Sequence, residues 1–124
     1  MFRFEKLEVW KESILYTKNI YKIAEAFPRS EQFALTSQLK RASISISSNI
    51  AEGSGSSSVK DFCNYLDIAI KSAIETVSQL FLAVELKYIK KEILNPAYNE
   101  AEILVKRIQG LKKYLKRSRN PNYE

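Results

Sequence analysis

The chain contains no histidine, one cysteine, three glycines and three prolines in 124 residues. Without imidazole, a Ser-His-Asp triad, a Cys-His pair, a di-iron site built on Glu-x-x-His and a histidine-dependent helical ribonuclease are all out of reach. Cys63 cannot close an internal disulfide, so a reducing, cytoplasmic location is the expectation. So few glycines and prolines exclude a loop-rich sandwich and imply long regular elements. No window reaches the roughly 18 apolar residues of a membrane span, and the first dozen residues mix acids with bases. Neither secretion nor contact with a membrane is expected.

What is present fits an ordinary globular chain, with 45% hydrophobic and 27% charged residues. Its length suits one domain, residues 1–124, with a sizeable core. The net charge of +6 is unevenly distributed: residues 1–102 hold as many acids as bases. The excess comes from Lys106, Arg107, Lys112, Lys113, Lys116, Arg117 and Arg119, opposed only by Glu124. A basic segment on a neutral body sets up a local field that attracts polyanions better than a diffuse charge would.

Pro28, the Gly53–Ser58 run, Pro96 and Pro121 divide the chain into segments too long for strands. The spacing predicts helices over about 6–26, 30–53, 58–90 and 96–118. In the first, Trp10, Ile14, Thr17, Tyr21 and Ala24 recur at helical intervals. In the second, alternation of serine and isoleucine over Ser43–Ser47 would suit a strand in isolation. Leu35, Leu39, Ala42, Ile46 and Ile50 carry a helical register straight through it, so the segment is read as helix. Phe33, Ser37, Ile44 and Ala51 form a second stripe on its other side, which fits a helix lying between its own bundle and another copy of the chain.

Ser30 is placed as the N-cap of the second helix, Gly53 and Gly55 as its left-handed end, and Ser58 with Asp61 as the capping box of the third. Phe62, Leu66, Ala69, Ala73, Leu80 and Ala83 line the third helix's inner face. Asn95 and Pro96 read as the N-cap and first residue of the fourth, whose seam is Ala97, Ala101, Leu104, Ile108, Leu111 and Leu115. Four amphipathic helices with brief connections make an all-α, antiparallel, up-down-up-down four-helix bundle.

Candidate chemistry is thin. Cys63 reads as a small buried hydrophobe, and Asp67 and Glu75, each four residues from Lys71, read as surface pairs rather than catalysts. The Gly53–Ser58 run lacks the Gly-Lys-Ser/Thr ending of a phosphate loop. No catalytic residue, metal or cofactor is assigned, and the chain is read as a non-enzyme. Arg41, Ile44, Asn49, Ala51 and Glu52 on the second helix read as a packing or oligomer motif, since Arg41 and Glu52 stand about three turns apart and need partners elsewhere. The seven cations of the fourth segment are the candidate RNA- or DNA-binding residues, with Tyr114 and Tyr123 able to stack on bases. The alternatives are a protein-interaction scaffold or accessory subunit in which the basic helix serves only solubility and, last, a magnesium-dependent hydrolase or nuclease using carboxylates such as Asp67 and Glu75.

The ordered series LEVWKES, FP, LTSQLKRASISISSNIAEG and DFCNYLDIA resembles the four-helix bundle proteins encoded in 23S ribosomal RNA intervening sequences. The resemblance spans about residues 4–90, and Ser48 to Gly53 is its most specific motif. It implies a bacterial cytosolic four-helix bundle without established catalysis, assembled as a homopentamer. Relatives in diversity-generating retroelements bind nucleic acid and a reverse transcriptase. The chain departs from the family pattern at Ser47, often proline, at Ser54–Ser58, where a basic residue is common, and at Lys71, often glycine. Any basic function therefore shifts to the fourth helix.

Overall fold

The computed structural model describes residues 1–118. They form α1 (Glu8–Ala24), α2 (Leu35–Ser54), α3 (Val59–Glu85) and α4 (Lys91–Ser118), with single 3-10 turns at Arg3–Lys6 and Arg29–Glu31. No strand occurs among the described residues, and Ser43–Ser47 is helical. The helices pack as a four-helix bundle in which each touches two neighbours, in the order α1, α2, α3, α4 and back to α1.

The core is a single cluster of buried side chains. Leu35, Leu39, Ala42, Ile46 and Ile50 of α2 are buried as their spacing requires, and so are the predicted inner faces of α3 and, apart from the half-buried Leu111, α4. In α1 Ala24 is buried as predicted, but the rest of the buried stripe falls one residue earlier than predicted, on Val9, Ser13, Tyr16 and Ile20. Ile14 and Tyr21 are exposed instead, because Tyr16 enters the core as a full-length side chain and sets the rotation of the helix.

The serines of the alternating stretch explain how a polar sequence crosses a core. Ser43 and Ser47 turn their hydroxyls back onto the carbonyls of Lys40 and Ile44. Ser45 accepts from Ser72 of α3 at 2.8 Å and from the Asn49 amide at 2.9 Å. Thr17 of α1 donates to the Ser43 carbonyl at 2.9 Å. Small side chains with satisfied hydroxyls let α2 lie close to both neighbours.

Helix ends differ from the sequence reading in four places. α2 starts at Leu35, not near Ser30; the Glu31 carboxylate accepts the Leu35 N–H at 3.2 Å and takes over the capping role. Gly53 lies inside α2 and neither it nor Gly55 has a positive φ. Its missing Cβ serves packing, since a Cβ there would stand 2.7 Å from Tyr65 Cβ and 2.9 Å from Phe62 Cδ1. α3 stops at Glu85 because Lys87 turns left-handed at φ 64°, letting the Lys87 and Tyr88 N–H groups return to the Val84 and Ala83 carbonyls. α4 starts at Lys91, five residues before Pro96. Burial of Ile89 and Leu94 anchors that first turn, and this outweighs the proline's preference for the helix start. The Ser58 cap forms as expected, accepting from Asp61 N–H at 3.1 Å.

Candidate nucleic-acid interface

The basic residues of α4 divide into two groups. Arg107 donates to Glu12 of α1 at 2.6 Å, and Lys112 pairs with Asp67 of α3. Both cations tie α4 to its neighbours. Asp67 therefore serves a contact between helices instead of the expected pair with Lys71, and Glu75 accepts from the Gln79 amide. Lys106, Lys113, Lys116 and Arg117 are exposed and have no acidic partner among the described residues. Arg119 and Tyr123 lie outside the described residues. Tyr114 is exposed on the same helix.

Folding adds residues that a linear reading overlooks. Lys116 and Lys60 line a hollow of about 370 Å³ with Val59, Cys63, Asn64 and Asp67, between the start of α3 and the end of α4. Lys60 sits in a segment of balanced charge, and only the antiparallel pairing of α3 and α4 joins it to the basic end. Burial pushes the Cys63 thiol up, and the neighbouring Lys116 and Lys112 charges offset this only in part. A buried, protonated thiol is a poor nucleophile.

The five residues assigned to a packing or oligomer motif separate. Asn49 turns inward and donates to the Ser45 carbonyl at 2.7 Å. Ala51 is half-buried beside the N-terminal turn, where a hollow is lined by Phe2, Phe4 and Lys6. Arg41, Ile44 and Glu52 face outward, and neither charge has a partner among the described residues. No group of three or more histidine, cysteine, aspartate or glutamate side chains among the described residues could hold a metal ion. No helix among them is long and apolar enough to cross a membrane.

No curated protein matches the chain. A solved structure from Bacteroides thetaiotaomicron, described as a protein with unknown function from the S23 ribosomal protein family, is similar at 28% identity and a TM-score of 0.77. The similarity covers 85% of this chain and 98% of that one. The family described as 23S rRNA-intervening sequence protein matches residues 5–110, which takes in α1, α2, α3 and α4 as far as Gly110. The chain thus belongs to the 23S rRNA-intervening sequence protein family.

Proposed function

We propose that this protein is a non-enzymatic, homo-oligomeric helical bundle that binds RNA or DNA through its basic end, contacting phosphates with little sequence discrimination. Five copies is the number that the family resemblance implies. The observation that carries the reading is the exposed group Lys106, Lys113, Lys116 and Arg117, left without acidic partners where Arg107 and Lys112 are both paired. Lys60 extends the same positive end onto α3. Such cations need only charge and reach to displace counterions from a phosphate backbone.

The test is titration of a fluorescent RNA duplex and a DNA duplex against the protein over a range of salt. Affinity is expected to fall steeply as salt rises. Replacing Lys60, Lys116 and Arg117 together with glutamine is expected to weaken binding and lower the salt slope by about 3. Binding unchanged between low and high salt, or indifferent to the triple replacement, overturns the reading.

A further inference from the structure

An apolar groove of about 600 Å³ runs along the outside of the bundle between α3 and α4. Its floor is shallow in side chain because Ala73 and Ala101 line it, and its walls include Ile74, Phe81, Tyr98 and Val105. Ile74 and Phe81 are about half exposed, at 57% and 47%. Along the α4 lip stand Glu102, Lys106 and Gln109, with Lys113 next on the same helical face. Neither Glu102 nor Lys113 has a charged partner among the described residues.

Across the bundle, the outer face of α2 carries complementary features. Arg41, Ser48 and Glu52 lie along it, with Ile44, 42% exposed, as its one large apolar side chain. Arg41 and Glu52 are eleven residues apart, about 16 Å along the helix, and so are Glu102 and Lys113. The signs run in opposite order from the same end of the bundle: positive then negative on α2, negative then positive on α4. Because α2 and α4 run in the same direction in an up-down-up-down bundle, copies standing side by side bring the two rows together parallel.

Cross-helix contacts set the heights. Thr17 meets Ser43 and Tyr21 meets Lys40 on one side of α1, while Asn19 meets Glu100 and Glu12 meets Arg107 on the other. Through α1, Arg41 is level with residues 99–100 of α4, Ile44 with residues 102–103 and Glu52 with residues 110–111. Arg41 then stands within about 4 Å, along the axis, of the level of Glu102. Through α3, where Ser45 meets Ser72 and Asp67 meets Lys112, the levels fall about three residues further along α4, so Ile44 comes opposite the stretch of groove between Glu102 and Lys106 and Glu52 comes beside Lys113.

We infer that the α3–α4 groove receives the outer face of α2 from a second copy of this chain, with Ile44 as the knob, Arg41 against Glu102, and Glu52 against Lys113. The contact is head-to-tail, so each copy offers both surfaces and a ring can close. Lys116, Arg117 and Lys60 remain free at one rim of that ring. The inference rests on the homo-oligomeric part of the proposed function and specifies its surfaces.

The test is light scattering on the full chain, with circular dichroism melts to show that each variant folds. The wild type is expected to form a multimer. Arg41→Glu and Glu102→Arg are each expected to weaken assembly by about tenfold or more through like-charge contact, and the double variant is expected to regain it. Ile44→Asp, on an exposed site, is expected to weaken assembly without an effect on the melt. A wild type that assembles while all these variants keep its mass overturns this interface and leaves the homo-oligomer standing. So does a double variant that assembles no better than the singles. A wild type that stays monomeric at every concentration overturns both and leaves the groove to a different protein. Salt-dependent RNA binding by the monomeric variants reports separately on the nucleic-acid reading.

Discussion

The hydroxyl of Tyr16 on α1 lies 2.7 Å from Oγ1 of Thr76 on α3, across the fully buried centre of the bundle. Thr76 donates its own proton to the Ala73 carbonyl at 2.6 Å, so Tyr16 is the donor of the pair. The two helices do not pack directly on each other, and this bond spans the diagonal. It fixes the rotation of α1 that the apolar spacing left one residue out of place.

Burial raises the Tyr16 hydroxyl from 10 to about 12, with the Thr76 hydrogen bond working against it and Glu100 adding to it. A raised folded-state value contributes stability that is complete below pH 10 and is lost as pH climbs towards 12. Tyr16→Phe removes the bond and is expected to reduce stability by about 1 kcal/mol at neutral pH. Denaturant melts between pH 9 and 12 should show a shallower alkaline loss in the variant than in the wild type.

At the other end of α2, Gly53→Ala places a methyl group against the Cβ of Tyr65 and the ring of Phe62. One of these neighbours is a side-chain stem that cannot swing away. The substitution is expected to destabilise by about 1–3 kcal/mol, despite alanine's better helix propensity, and a thermal melt checks it.

Two changes should act in the opposite direction. Lys87 holds φ at 64°, where a side chain is disfavoured, so Lys87→Gly is expected to stabilise by about 1 kcal/mol. Gly110 lies in α4 with nothing within 4 Å of where its Cβ would be, and Gly110→Ala is expected to add a similar amount. Chemical denaturation of each variant and of the pair should show additive gains, since the sites lie on different elements.

Glu31 joins the two connections at the far end of the bundle: it accepts from the Tyr88 hydroxyl at 2.6 Å and from the Leu35 N–H. The Tyr88 bond, then the backbone bond, hold its carboxyl below the ordinary value. A lowered folded-state value contributes stability above the unfolded value and loses it as pH falls through the folded one. Melting temperature should therefore drop on the acid side of the ordinary glutamate range, and Glu31→Gln should flatten that part of the profile.

For nucleic-acid binding, the two groups of cations should behave differently. Arg107→Gln and Lys112→Gln disrupt contacts between helices and are expected to change the melt more than the RNA affinity. Lys116→Gln and Arg117→Gln are expected to leave the melt unchanged and to lower affinity and the salt slope, by about 1 for each phosphate that is no longer neutralised. Equal drops in affinity from both groups would show that ion pairing within the chain does not sort them.

The residues alone settled what a local rule can settle. Leu35, Leu39, Ala42, Ile46 and Ile50 held the helical register through a strand-like alternation, because a period of 3.6 over four turns outweighs five alternating residues. The absence of histidine and the clustering of charge towards the C-terminus were equally plain. Long-range contact decided the rest. Tyr16 chose its face through Thr76, Gly53 was needed for Tyr65 rather than for a turn, and Pro96 was carried inside α4 by the burial of Ile89 and Leu94. Of seven cations that look equivalent in a string, Arg107 and Lys112 met acids on other helices while Lys116 came to line one hollow with Lys60. Side chains sixty or ninety positions apart become neighbours only when apolar faces are buried together, and no local pattern encodes which charges that burial brings side by side.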